Sequence, residues 1–185
     1  MREFLFLYPI EPYVDGAFSG QSSAEDYSAR VQRLNDTIQA RYRQGGFNIN
    51  WLMFTDGLEQ LASGVDVQES DRILTCGVSF KTHCAEKIYP DEESIINQLP
   101  KRINQLIIAG FHLWDCVDKI AEAGHNSGIP TFVDEDLTEL FFMATKGRIP
   151  LVRDIRKVDI QPDWRELWVE YMRGRRESKP WLARV

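Results

Sequence analysis

The chain has 185 residues, of which 43% are hydrophobic and 27% charged, and its formal net charge is −6. These values are typical of a soluble globular protein with one domain, and the acidic balance disfavours a general nucleic-acid-binding protein. The apolar run near the start, FLFLY at 4–8, is too short for a secretory signal or a membrane span, so neither is expected.

Short apolar runs alternate with longer segments of helical periodicity along the chain. The runs predict strands, and the periodic segments, bounded by cap residues, glycines or prolines, predict helices. In chain order we predict a strand at 4–8, a helix at 23–46, strands at 47–54 and 72–80, a helix at 91–99, a strand at 104–110, a helix at 115–128, a strand at 129–134, a helix from Asp136, a sixth strand within 149–160 and a helix at 163–176.

This alternation is typical of βαβ units, in which helices cover both faces of a parallel sheet. The predicted fold class is therefore α/β, a three-layer sandwich around a mostly parallel, about six-stranded Rossmann-like sheet. No repeat or linker divides the sequence, so residues 1–160 are expected to form one α/β domain to which the C-terminal helix and basic tail, 161–185, also belong.

The sequence contains three cysteines, Cys76, Cys84 and Cys116, and no CxxC pair. An odd number of unpaired cysteines favours reduced thiols and a cytoplasmic location. Three histidines and three cysteines without close spacing do not form a zinc motif, so we expect neither a metal nor a cofactor.

Cys116 is predicted to lie in the first turn of the helix that follows the strand at 104–110. Ligands of open parallel sheets gather at the carboxyl ends of the strands. Free N–H groups and the helix dipole at such a position favour a thiolate, which predicts a pKa below the usual value of about 8.5. The alternative is that Cys116 is a small buried residue beneath its helix.

The segment LIIAGFHLWDCVDKIAEAGHNSGIPTFVDED, 106–136, contains Gly110, Cys116, Val117, Gly128 and Asp136 at characteristic distances. This pattern resembles the core block of the isochorismatase-like cysteine hydrolases, and the order of the predicted elements agrees with that family over roughly 4–155. The resemblance implies attack of the cysteine on a carbonyl carbon, usually of an amide. It also implies an aspartate base after the first strand, a lysine after the third, and an oxyanion hole in a loop that often contains a cis peptide, here within 111–113.

The family's aspartate position falls on Tyr8 and its glutamine position on Ile10. A phenol with a pKa near 10 does not serve as a carboxylate base at neutral pH. Glu11 is the nearby carboxylate that could substitute, whereas Asp15 is expected to be a turn residue. Tyr8 is instead a candidate substrate-binding residue.

The family's lysine position falls between Lys81 and Lys87, and either lysine could instead be a solvated surface residue. Many relatives carry Asp-x-His after the second strand, and the metal-binding members use it. Here Asp56 is present without the histidine, which supports the expectation of no metal and leaves Asp56 as a candidate substrate-binding residue.

His112 lies four residues before Cys116 and could accept the thiol proton as a neutral imidazole. The alternative is a loop histidine in contact with backbone or solvent. Trp114 and Phe111 of the same loop are candidate walls for a flat substrate, or packing residues.

The C-terminal tail, RGRRESKPWLARV, is basic, and we expect either a flexible solvated terminus or an arm that docks Trp181 and Leu182 on a partner. The resemblance also implies a homo-oligomer, with a dimer favoured. Two functional hypotheses remain. One is a metal-independent cysteine hydrolase that cleaves a C–N bond of a small molecule through a Cys116 thioester. The other is a catalytically inactive member that binds a small molecule or a protein.

Overall fold

A five-stranded, all-parallel β-sheet forms the centre of the molecule in the computed structural model, which describes residues 1–16, 24–138, 174 and 176–182. The strands are β1 (Arg2–Leu7), β2 (Asn48–Met53), β3 (Arg72–Thr75), β4 (Gln105–Gly110) and β5 (Thr131–Thr138). The helices are α1 (Glu11–Gly16), α2 (Ala24–Thr37), α3 (Phe80–Glu86), α4 (Glu92–Asn97) and α5 (Asp118–Asn126). The described residues also include π-helical turns at Ile38–Arg43 and Leu113–Val117 and 3₁₀ turns at Gly57–Gln60 and Pro180–Leu182, with helical conformation at 174 and 176–178.

The strand order is β3-β2-β1-β4-β5. The chain therefore builds one half of the sheet outward from β1 through β3 and then returns to the other side of β1 for β4. The order reverses between β1 and β4, and the crevice at the carboxyl ends of two such strands is the usual ligand position in open α/β sheets. Tyr8 follows β1 and the Cys116 turn follows β4, so both lie at this reversal.

The central strands β1 and β4 are almost wholly buried because helices cover both faces of the sheet, which explains why they appear in the sequence as continuous apolar runs. Alternate side chains of β1 point to opposite faces. Leu5 and Leu7 join the apolar core beneath α4 and α5, while Phe4 and Phe6 join the core beneath α2. The prediction of an α/β sandwich with a parallel sheet is thus confirmed.

Two element predictions are wrong in part. The segment 72–80 is not one strand, because β3 ends at Thr75 and the side chain of Ser79 accepts a hydrogen bond from the Thr82 N–H to begin α3. A helix does not begin at Asp136, since β5 continues to Thr138. The predicted sixth strand and nearly all of the predicted 163–176 helix lie outside the described residues.

Residues 176–182 do not form a flexible solvated terminus. Trp181 and Leu182 are buried in the core beneath α5, on the same chain. Among the described residues no helix has the length and apolarity needed to cross a membrane.

Candidate functional site

Cys116 lies in the π-helical turn Leu113–Val117, which leads directly into α5. The turn follows β4 after a cis peptide bond between Phe111 and His112, as the resemblance implied. Gly110 makes this path possible, with φ of +106° and with the backbone of Leu7 so close that a Cβ atom would lie 2.3 Å from the Leu7 carbonyl oxygen. The glycine of the sequence pattern is therefore required by the close approach of β4 to β1.

The thiol of Cys116 is buried, with 8% of the residue exposed. Burial raises its pKa to about 12, and the charges of Asp115, Glu92 and Cys76 act in the same direction while that of Lys119 opposes them. The prediction of a lowered pKa is therefore wrong, because loss of hydration outweighs the helix end. At neutral pH the side chain is a protonated thiol.

Tyr8 is buried beside this cysteine, with its ring stacked on Phe54 at a centroid distance of 4.4 Å. Burial raises its pKa far above the usual value, and Cys116 and Cys76 add to the shift. Its hydroxyl group lies next to the Cys76 thiol, yet it has no partner of hydrogen-bonding geometry among the described residues. Tyr8 is thus a neutral phenol, at the position to which the resemblance assigns an aspartate.

Tyr13 links the surrounding rings into one aromatic cluster. Its ring contacts those of Phe80 (5.7 Å), Phe111 (5.6 Å) and His112 (4.9 Å between centroids). Burial raises the pKa of Tyr13, and the charges of all three cysteines contribute. The three cysteines, at positions 76, 84 and 116, therefore lie within electrostatic range of this ring.

His112 is half-buried, and its loss of hydration lowers its pKa although Asp115 opposes the shift. The imidazole is therefore neutral at pH 7, the protonation state that the base hypothesis requires. Phe111, in contrast, is fully buried, where it packs edge-on against Phe6. It supports the loop from the core side.

The Glu11 carboxylate is held away from a catalytic role by two hydrogen bonds at 2.9 Å, from the Tyr27 hydroxyl and the Ser63 N–H. The first bond connects α1 to α2, and the second connects α1 to the loop after β2. This engagement gives no support to Glu11 as the base.

The two candidate lysines, Lys81 and Lys87, are exposed on α3 and at its C-terminal end. The ammonium group that acts on the Cys116 pKa belongs instead to Lys119, which the sequence reasoning missed. Lys119 pairs with Asp115 at 2.6 Å and lies 4.7 Å from the centre of the Tyr89 ring. The i,i+4 spacing of Asp115 and Lys119 was the available signal.

Asp56 accepts a hydrogen bond from the Phe80 N–H at 2.7 Å. Burial opposes ionisation of this carboxyl, but backbone N–H groups including those of Phe80 and Lys81 lower its pKa. Asp56 thus fixes the beginning of α3, which is a structural role.

The structure brings together Cys116, Tyr8 and Phe111 with the half-buried His112. Glu11 is held by its own hydrogen bonds, and Asp56 borders the group at the beginning of α3. Cys76 and Tyr13 also belong to this cluster. The functional roles of these residues and of Lys81, Lys87 and Trp114 stay predictions. A small-molecule ligand, a dimer and a cytoplasmic location stay predictions as well. Within the described parts of the chain, no three His, Cys, Asp or Glu side chains are grouped to hold a metal ion.

Comparison with known proteins gives likeness in structure but not in sequence. No family model and no curated protein matches the chain. An isochorismatase family protein of known structure is 20% identical, with a TM-score of 0.48 over 74% of this chain and 80% of that one. An isochorismatase from Pseudomonas putida KT2440 is 17% identical, with a TM-score of 0.47 over 74% of this chain and 70% of its own.

A zinc complex of the pyrazinamidase of Pyrococcus horikoshii is 14% identical, with a TM-score of 0.49 over 95% of this chain and 96% of its own. The chain is thus similar in fold to structures described as an isochorismatase family protein, an isochorismatase and a pyrazinamidase.

Proposed function

We propose that the protein is an isochorismatase-like protein that binds a small uncharged molecule beside Cys116 without hydrolysing it. The observation that carries this proposal is the pair formed by a protonated, buried Cys116 thiol and the Tyr8 phenol. A cysteine hydrolase needs a thiolate or a base that removes the thiol proton in the reaction. Neither side chain of this pair supplies one at neutral pH.

The surroundings favour an uncharged ligand. Tyr13, Phe80 and His112 are half-buried at the carboxyl end of the sheet, so parts of their rings reach the surface there. The aromatic rings offer no counter-ion to a charged ligand, and Lys119 and Asp115 beside Cys116 already pair with each other at 2.6 Å. A charged ligand would therefore lose hydration here with little compensation. A small apolar or amide-bearing molecule would gain ring contacts instead.

The test combines turnover and binding on the full chain. With benzamide as the probe, we expect no ammonia release above the buffer rate at pH 7. We expect binding by saturation-transfer NMR that weakens about tenfold or more in Tyr13→Ala. Tyr27→Ala is the matched control, because Tyr27 is a tyrosine that hydrogen-bonds to Glu11 and does not belong to the aromatic cluster around Tyr13. This variant should bind benzamide as the unmodified protein does.

The second candidate function is the cysteine hydrolase itself. It is favoured by the ammonium group of Lys119, whose charge opposes the rise in the pKa of Cys116. It is also favoured by the neutral imidazole of His112 in the same loop as Cys116. Ammonia release that disappears in Cys116→Ala would establish this function and overturn the first proposal.

A further inference from the structure

The C-terminal arm, residues 176–182, packs across α5 and β5 of its own chain. Its two apolar residues are inserted into the core, with Trp181 6% and Leu182 1% exposed. They belong to the same apolar cluster as Cys116, Val117 and Ile120. The arm therefore completes the core on the face of the sheet that carries the cysteine.

The polar contacts of the arm neutralise two carboxylates that are almost fully buried. Asp118 is 5% exposed and accepts hydrogen bonds from Lys179 Nζ at 2.6 Å and from Trp181 Nε1 at 3.3 Å. Glu135 is 7% exposed and pairs with the Arg176 guanidinium. Removing the cation from a buried carboxylate is strongly unfavourable, so the pairs of Lys179 with Asp118 and of Arg176 with Glu135 favour the docked arm.

Asp118 connects this docking contact to the candidate site. It is the first residue of α5 and lies two positions after Cys116, at the end of the π-helical turn. The arm thus binds the first residue of α5, directly after the π-helical turn that contains Cys116. Movement of this turn requires that the Lys179 and Trp181 contacts with Asp118 break or shift.

We propose that the C-terminal arm is a latch that keeps Cys116 buried, and that its release exposes the thiol. The docked and released states form a local equilibrium of the kind that governs access to buried groups in native proteins. The latch does not rest on the proposed function, because it concerns the exposure of the thiol and not turnover.

The test uses peptide-resolved mass spectrometry after brief iodoacetamide treatment of the folded full chain at pH 8. In a Lys179→Gln, Trp181→Ala variant we expect Cys116 to react about tenfold faster or more. Cys76, buried in the same core, should change by less than about twofold, because local release does not open the whole molecule. Exposed Cys84 corrects for differences in reagent.

Two control variants separate the latch from general destabilisation. Lys179→Arg retains a cation for Asp118 and should leave Cys116 protected. Leu34→Ala removes apolar volume from the core on the opposite face and should also leave Cys116 protected. Protection of Cys116 that survives in the double variant overturns the proposal, and so does a rise in the Cys116 and Cys76 rates by the same factor.

Discussion

The side chain of Cys116 illustrates a competition between two effects on one thiol. Its position at the start of a helical segment favours the thiolate, and so does the charge of Lys119. Burial and the charges of Asp115, Glu92 and Cys76 favour the thiol. Desolvation shifts pKa values by several units whereas a helix end contributes at most about 2 kcal/mol, so burial determines the outcome.

This raised pKa makes the stability of the protein fall at alkaline pH. In the unfolded chain the Cys116 thiol has a pKa of about 8.5, whereas in the folded protein its pKa is about 12. Ionisation therefore stabilises only the unfolded state between these values. From pH 8 to pH 10 we expect Cys116 to contribute a loss of about 2 kcal/mol in the free energy of unfolding.

Urea unfolding of the unmodified chain and of Cys116→Ala at both pH values measures this contribution. The variant should lose less stability than the unmodified chain between the two values, by that same amount. Other alkaline titrations, such as those of Cys76 and Tyr8, are common to both proteins and cancel. Equal losses in the two proteins would mean that Cys116 titrates normally in the folded state.

The hydroxyl group of Tyr8 leads to a second prediction at the same scale. Because it is buried and no described residue offers it a partner of hydrogen-bonding geometry, its removal in Tyr8→Phe should cost nothing. We expect the free energy of unfolding to stay equal or to rise by about 1 kcal/mol. Chemical denaturation measures the change, and a loss of more than about 1 kcal/mol would show that the hydroxyl makes a favourable bond.

At the scale of elements, the contact between β1 and β4 positions both halves of the candidate site. Leu7 pairs with Gly110 at the ends of these strands, immediately before Tyr8 and the cysteine loop. The absence of a side chain at Gly110 allows the two backbones to meet at this point. The contact thus depends on one residue.

Gly110→Ala should therefore destabilise the fold by about 3 kcal/mol or more, because positive φ and overlap with Leu7 both oppose a Cβ atom. Gly128→Ala is the matched control, since Gly128 also has positive φ (77°) but open space around a Cβ atom. It should cost about 1 kcal/mol. Equal losses, measured by thermal or urea unfolding, would contradict the close approach of the strands.

The sequence predicted the five described strands because their central residues are apolar runs between helical segments, as in β1 and β4. It missed α1 and α3, for which it predicted no helix, and it did not register that Gly77 and Ser79 interrupt an otherwise strand-like segment before α3. It also ended β5 too early. The acids of that strand look like loop residues, but Asp134 pairs with Arg41 and Glu135 with Arg176, and such long-range partners are invisible to local patterns.

At the scale of the whole molecule, the parallel sheet brings Tyr8, Cys76 and Cys116 to the carboxyl ends of its strands. Sequence spacing predicted the placement of Cys116 after β4, whereas the substitution of the family's aspartate by Tyr8 stays a prediction. It could not predict how deeply Cys116 is buried. Cys116 shares its core with Tyr8, Cys76 and the distant C-terminal arm, which come together only in the folded chain.

The most direct test of this account is the pH dependence of iodoacetamide alkylation at Cys116 in the native chain, followed by peptide-resolved mass spectrometry. Cys84, which is exposed, provides the reference within the same sample. We predict that Cys116 reacts far more slowly than Cys84 throughout pH 6–10, without a plateau in its rate. Rapid alkylation of Cys116 with an apparent pKa below about 8.5 would contradict the account and identify an activated nucleophile.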